Sequence, residues 1–248
     1  DSDSDTDSDS DTDSDSDSDS DTDGDTDPVD CNNLPAPPLS TVELSGPSGY
    51  HDVAFDDEGN IVGAGPMGDS LFKVNSAGEA TLFASGFSDI QGMDYLPDGD
   101  LIAATGSNGV IRVAPDGSYE SIAGSIYAYN VTVGPDGMVY AGDNYALYRI
   151  DPDSGEIETL DSSLAARNIE FSPDLDTMYI GAFDAGQIYS VPLDENFDFV
   201  GSPTLFTSIP SNCTWMDGLG VDICGNLYAP CWNMSSLYRI SPAGEVMT

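Results

Sequence analysis

Asn130-Val-Thr-Val-Gly-Pro-Asp-Gly-Met-Val-Tyr140 decides the fold, because the chain says nearly the same thing five times. Its counterparts are Asp52-Val-Ala-Phe-Asp-Asp-Glu-Gly-Asn-Ile-Val, Gly92-Met-Asp-Tyr-Leu-Pro-Asp-Gly-Asp-Leu-Ile, Asn168-Ile-Glu-Phe-Ser-Pro-Asp-Leu-Asp-Thr-Met-Tyr and Gly218-Leu-Gly-Val-Asp-Ile-Cys-Gly-Asn-Leu-Tyr. Each phrase is a short apolar strand, a turn of the Pro-Asp-Gly or Glu-Gly-Asn kind, and a second strand. The turn glycine supplies the positive φ that a tight hairpin needs. A third strand follows in every unit: Leu71-Phe-Lys-Val, Val110-Ile-Arg-Val, Leu147-Tyr-Arg-Ile, Ile188-Tyr-Ser-Val and Leu237-Tyr-Arg-Ile. A fourth closes it, as in Ala80-Thr-Leu-Phe-Ala and Ile157-Glu-Thr-Leu. Four strands in units of about 40 residues predict an all-β propeller, in which radial repetition hides the sheet edges. Little reads as amphipathic helix; Ser162 to Arg167 could form one turn.

Five such blades are visible. Glu245-Val-Met-Thr248 falls inside an outer strand, and Thr41-Val-Glu-Leu-Ser45 reads as one more outer strand. Twenty-one strands do not divide by four. The expectation is a six-bladed propeller over residues 31–248, truncated at the C-terminus, with a closed five-blade ring as the alternative.

Outward from the repeat, residues 1–30 form a different polymer. Asp alternates there with Ser, Thr or Gly, no apolar side chain appears before Pro28, and 15 acids meet no base. Such a segment cannot offset its ordering entropy by burial and is expected to be a disordered, extended acidic linker. Its end, Asp19-x-Asp21-x-Asp23-Gly24-x-x-Asp27-x-x-Asp30, resembles the calcium loops of EF-hands and thrombospondin type 3 repeats. The resemblance implies weak calcium binding at Asp19, Asp21, Asp23, Asp27 and Asp30.

The 248 residues hold 45 Asp+Glu against 5 Lys+Arg and one His, a net charge of -40. Nucleic acid and anionic membrane surfaces require a Lys/Arg footprint that five bases cannot supply. No apolar run approaches a membrane helix, so this segment inserts into no bilayer. A monomer is expected. Four cysteines behind an acidic lead suggest an oxidising compartment: extracellular, periplasmic or cell-surface. Blade topology puts Cys213 and Cys231 together on the top face. It puts Cys31 and Cys224 near the bottom. The expected disulfides are therefore Cys213–Cys231 and Cys31–Cys224. A zinc site fits poorly, because Cys-x6-Cys with no nearby His is a poor zinc spacing.

Nucleophile and phosphate motifs are absent, and His51 is the single imidazole. What remains is the top of the ring, where each first strand begins: His51 and Asp52, Gln91 and Gly92, Tyr129 and Asn130, Arg167 and Asn168, Met216 and Asp217. Oxygen ligands from separate blades converging on one axis suit calcium or another divalent cation, which could act as a Lewis acid or acidify a water. Asp217, Asn168, Asn130, Asp52 and His51 are the candidate metal ligands, and Asp217 and Arg167 the candidate catalytic residues. The plainer alternative is that Asn and Asp at strand entries cap turns, and that Arg167 neutralises an acidic rim. Trp215, Trp232, Tyr127 and Tyr129 could line the same face, suited to sugars or apolar ligands, or could simply pack between blades.

Through Asn130-Val-Thr-Val-Gly-Pro-Asp-Gly, Asn168-Ile-Glu-Phe-Ser-Pro-Asp and Asp217-Gly-Leu-Gly-Val-Asp-Ile-Cys-Gly-Asn-Leu-Tyr, residues 41–248 resemble the senescence-marker-protein/gluconolactonase family of six-bladed propellers, and more broadly NHL-repeat propellers. The resemblance implies a divalent metal held by a Glu, two Asn and an Asp, and hydrolysis of sugar lactones. Asp217 matches the family's Asp-Gly in register. Asn130 and Asn168 each stand one residue nearer the strand, and His51-Asp52 stands where the first blade has Glu-Gly-Pro. A slip of one residue turns a side chain to the other face. The first expectation is therefore a binding or display module on an acidic stalk, taking a small molecule, glycan or protein at the top face. A metal-dependent lactone hydrolase is the alternative. The Val-Gly-Pro-Asp-Gly phrase also resembles antibiotic-opening lyase propellers, whose histidine chemistry this chain lacks.

Overall fold

The structure is a computed structural model that describes residues 29–31, 33–36, 52–183, 185–210 and 213–247. His51, the Thr41–Ser45 strand and tail residues Asp19, Asp21, Asp23 and Asp27 lie outside these. Contacts divide the chain into Asp1–Leu34 and Pro35–Thr248. In the first unit the described residues make one turn, Asn33 N–H donating to the Asp30 carbonyl.

Among the described residues the second unit holds twenty strands in five antiparallel sheets of four, each in the order of the chain. Blade 1 is β1 (Val53–Phe55), β2 (Ile61–Ala64), β3 (Ser70–Val74) and β4 (Ala80–Ser85). Blade 2 is β5 (Met93–Tyr95), β6 (Leu101–Ala104), β7 (Val110–Val113) and β8 (Tyr119–Ala123). Blade 3 is β9 (Asn130–Val133), β10 (Val139–Gly142), β11 (Leu147–Ile150) and β12 (Ile157–Asp161). Blade 4 is β13 (Ala166–Phe171), β14 (Thr177–Ala182), β15 (Gln187–Pro192) and β16 (Thr204–Ser208). Blade 5 is β17 (Gly220–Val221), β18 (Leu227–Cys231), β19 (Ser236–Ile240) and β20 (Val246–Met247), with a 3-10 turn at Trp232–Met234. The propeller read from the repeat is thus observed.

The five phrases fold alike. In each hairpin the residue opening the turn exchanges hydrogen bonds across it, for example Gly134 N–H to Met138 O and Gly137 N–H back to Gly134 O. The αL position is Gly59, Gly99, Gly137 and Gly225, all with φ between 77 and 91°; in blade 4, whose phrase is one residue longer, Leu175 takes it at φ 64°. The second strands of blades 2 to 4 have a blade on either side and are the most completely buried, and so Leu101–Ala104 reads as a continuous apolar run. Each large aliphatic buried there contributes about 1.5–3 kcal/mol. Outer strands such as Ala80–Ser85 are largely exposed. The Ser162–Arg167 segment is no helical turn. Asp161 Oδ1 accepts the amides of Ser163 and Leu164, and the chain then enters β13 at Ala166.

Four of the five basic residues occupy one repeat position, on the third strands, where each meets the turns below it. Lys73 pairs with Asp56 at 3.1 Å. Arg112 pairs with Asp100 at 2.6 Å and Asp153 at 2.9 Å, and Arg149 with Glu158 at 2.7 Å and Asp198 at 2.8 Å. Arg239 donates to the Pro35 carbonyl. Asp153 and Asp198 follow the third strands of blades 3 and 4, so these arginines tie neighbouring blades. Arg167 is the exception, on an inner strand.

Candidate functional site

The inner strands β1, β5, β9, β13 and β17 contact one another in succession around the channel. Their polar residues clasp the next blade. Asp52 Oδ2 accepts the Met93 amide at 3.1 Å, and Asp94 Oδ2 the Val133 amide at 2.7 Å. Thr132 Oγ1 donates to the Ile169 carbonyl at 2.9 Å, and Asn168 Nδ2 to the Met216 carbonyl at 3.0 Å. The capping role of entry-strand polar residues is therefore real, and it also fixes these side chains on the axis.

Three cavities follow the axis. The smallest, about 20 Å³, is lined by Asp52, Gln91, Tyr129, Asn130, Arg167, Asn168, Asp217 and Gly218. It shares Gln91, Tyr129, Arg167 and Asp217 with an upper cup of about 750 Å³, and Asp52, Asn130 and Gly218 with a lower chamber of about 650 Å³. It is a neck between them, with room for about one water or one ion. Four of the five candidate channel ligands meet here, one from each of blades 1, 3, 4 and 5; His51 lies outside the described residues. Gly92 completes the neck by being small, since a Cβ there would stand 2.7 Å from Asn130 Cα.

A β-bulge interrupts β13: its pairing with β14 shifts between Ala166 and Asn168, and Arg167 and its neighbour Asn168 both line the neck. Re-aiming one side chain is what a bulge does. Arg167 is then clamped. Its guanidinium carbon lies 3.4 Å from the Tyr129 ring centroid and 3.9 Å from that of Phe183, and its Nε donates to Asn144 Oδ1 at 2.8 Å. Such a sandwich holds a planar cation in one orientation without removing its charge. Phe183 and Asn144 carry no motif; their signal is their place in the loops after second strands, which open on the top face.

The neck and lower chamber are acidic. Burial pushes the Asp52 carboxyl up to about 6, with Asp94 and Asp217 adding like charge, against the opposing amides of Met93 and Val53. Burial likewise raises Asp94, and raises Glu170 to about 7 with help from Asp94 and Asp52. Asp94 and Glu170 escaped the sequence reading, although both stand at the polar position of an alternating inner strand.

These residues fit a hard cation on one particular observation: Asn130 Oδ1 is buried in the wall of the neck with no hydrogen-bond partner. An orphaned amide oxygen beside carboxylate and further amide oxygens is a donor set for calcium-like ions. Among the described residues no three His, Cys, Asp or Glu side chains form a metal-binding group. A cation in the neck would therefore rely on the amide oxygens of Asn130 and Asn168 beside Asp52 and Asp217.

Cys213 and Cys231 are joined, with Cα atoms 5.7 Å apart, as topology required. No described cysteine is free. Among the described residues no helix is long and apolar enough to cross a membrane.

Comparison with known proteins agrees with the propeller fold. The profile of the SMP-30/gluconolactonase/LRE-like region matches residues 123–248. A pentonolactonase of Haloferax volcanii is 28% identical over 155 residues, which are 58% of this chain and 53% of the relative, so the chain spans about half that relative's length. Among solved structures, a gluconolactonase of Xanthomonas campestris superposes with a TM-score of 0.71 at 16% identity, covering 79% of this chain and 74% of its own. A calcium-binding regucalcin of Agrobacterium tumefaciens also gives 0.71, at 18% identity, covering 83% and 75%. At these identities the superpositions establish the fold.

Proposed function

The chain belongs to the SMP-30/gluconolactonase/LRE-like family, and from that membership we propose that it is a divalent-metal-dependent hydrolase of sugar lactones working in an oxidising compartment. This reverses the order of the sequence expectations. The display-module reading rested on Asn130 and Asn168 being out of register; both line the neck beside Asp52 and Asp217, which supports the lactonase reading.

The observation that carries the proposal is the neck itself: oxygen donors from four blades around a space of ion size, one of them orphaned, opening directly into a cup. When bound there, a divalent cation supplies Lewis-acid polarisation of a carbonyl and acidification of water. Asp52, Asn130, Asn168 and Asp217 would hold it. Asp217 is the carboxylate that lines both neck and cup, so a substrate in the cup would lie beside it. Arg167, locked between Tyr129 and Phe183, presents its remaining donors at the same boundary, placed to hold a lactone oxygen as negative charge develops on it. The narrow neck keeps the ring of the substrate in the cup.

The reading is tested by screening metal-stripped protein against five- and six-membered aldonolactones, with calcium, manganese, zinc or magnesium restored one at a time. Hydrolysis restored by a divalent cation and lost in Asp217→Ala is expected. Failure to open any lactone with any of the four would overturn it.

A further inference from the structure

The upper cup is wider than a single lactone ring requires, and its far end is built differently from its near end. At about 750 Å³ it lies within the range of pockets that bury drug-sized ligands. Gln91, Tyr129, Arg167 and Asp217 line it where it meets the neck; Trp232, Ser235, Ser236 and Leu237 line it without touching the neck. Trp232 is 69% exposed, although large aromatics are normally well buried. One of its faces is occupied: Trp215 stacks on it with ring centroids 4.9 Å apart and planes at 26°.

That exposed indole is also unusually well held. The two tryptophans follow the two halves of one disulfide, in Cys213-Thr-Trp215 and Cys231-Trp232. The Trp232 amide donates to the Trp215 carbonyl at 2.9 Å. Asn233 Oδ1 accepts the amides of Thr214 at 3.1 Å and Trp215 at 3.2 Å. A covalent bond and three hydrogen bonds thus rivet two top loops together under a stacked pair. Structure of this kind cuts the ordering cost of binding; Cys213 and Cys231 also belong to the buried cluster between blades 4 and 5, whereas Trp215 and Trp232 stand outside it.

Resting on the lactonase reading above, we propose that the Trp215–Trp232 stack is a platform for a second sugar ring, so that the preferred substrate class is a glycosyl-aldonolactone: a lactone ring at the neck carrying a sugar residue that lies on Trp232. The C–H face of a pyranose matches a flat indole, while its hydroxyl edge meets hydroxyl groups, here those of Ser235 and of Ser236, whose Oγ also donates to the Met234 carbonyl, in the lining of the same cup. An alkyl or acyl appendage would leave those hydroxyls facing hydrocarbon. Aromatic rings with an apolar body and a wet edge suit a partly polar ligand.

The test compares lactobionolactone, which has two rings, with glucono-δ-lactone, which has one. It also measures binding of the unreactive acids lactobionate and gluconate by tryptophan fluorescence and calorimetry. The wild type is expected to show kcat/KM about tenfold higher for the two-ring lactone, and tighter binding of lactobionate than gluconate. Trp232→Ala should cost the two-ring lactone at least about tenfold more than the one-ring lactone, and Trp232→Phe should recover most of that difference. Equal treatment of the two lactones by wild type and Trp232→Ala overturns the platform, as does preferential hydrolysis of an alkyl lactone such as γ-decalactone. If neither sugar lactone is opened but lactobionate still binds in a Trp232-dependent way, the hydrolase reading fails and the platform stands. If lactobionate binds no better than gluconate, the platform fails whatever the activity.

Discussion

The two ends of the channel are made by the same inner strands and carry opposite chemistry. Above the neck are an aromatic cup, one clamped arginine and a disulfide-bound tryptophan stack. Below it are Asp94, Glu170 and the edge of Asp52, buried and mutually repelling. The upper end looks outward and is held rigid by loop contacts; the lower end is held by the clasps between blades. The difference teaches where negative charge is tolerated and why. The lower carboxylates sit in the scaffold at a cost, whereas the neck gathers oxygen donors with an orphan among them, which calls for a positive partner.

The sharpest way to break this contrast is at the boundary. Asp217→Ala should lower kcat/KM for an aldonolactone on the order of a thousandfold, read in a pH-stat assay, with the thermal transition still cooperative. A comparable loss from Asp94→Asn would show that the lower chamber shares the chemistry and would erase the distinction.

Next in size is the loop scaffold of the upper end. Replacing Cys213 and Cys231 by Ser removes a bridge spanning 18 residues. The expected loss is about 3 kcal/mol and a Tm lowered by roughly 6–12 °C, measured by calorimetry with and without reductant. An unchanged Tm would mean that the top loops contribute nothing to the fold.

The lower end is probed by pH. Burial raises Glu170 from an ordinary 4.5 to about 7, so between those values the folded protein keeps a proton that the unfolded chain has released. Stability from this group is therefore full below about pH 4.5 and falls as pH rises towards 7, by about 2–3 kcal/mol. Asp52 and Asp94 act in the same direction. Urea titrations in chelator should show this decline, and Glu170→Gln should flatten it; an identical slope in the variant would place the buried charge elsewhere.

Smallest is the arginine clamp. Arg167→Lys should lower kcat/KM between about tenfold and a hundredfold, because an ammonium cannot be held flat between Tyr129 and Phe183 and offers no fork. Full activity in the lysine variant would reduce Arg167 to a neutralising charge, the plainer reading of its place on an acidic rim.

The fold was legible because the hairpin phrase recurs with its turn chemistry intact, and departures such as Pro-Asp-Leu in blade 4 keep the same αL geometry. The disulfide Cys213–Cys231 followed from knowing which loops share a face. Even the singularity of Arg167 was available, since the other four bases repeat at one position. What stayed hidden is local. A β-bulge breaks the alternation that sequence reasoning assumes, so the burial of Asn168, 2% exposed, was not legible from its place in the strand. Asp94 and Glu170 stayed hidden too, because a polar residue in an inner strand has no chemical signature until its burial is known. The Ser162–Arg167 segment misled because Ser, Leu and Ala tolerate a helix, whereas the Asp161 carboxylate satisfies the amides a helix would have used.

The central claim is that four blades hold one cation in the neck and that this cation is needed for lactone opening. Calorimetric titration of calcium and manganese into metal-stripped wild type, Asp217→Asn and Asn130→Ala, followed by lactone assays on the same samples, tests it most directly. The expected result is one binding event present in wild type, lost in Asp217→Asn, weakened in Asn130→Ala, and matched in each sample by activity. Unaltered binding and unaltered hydrolysis in both variants would contradict it.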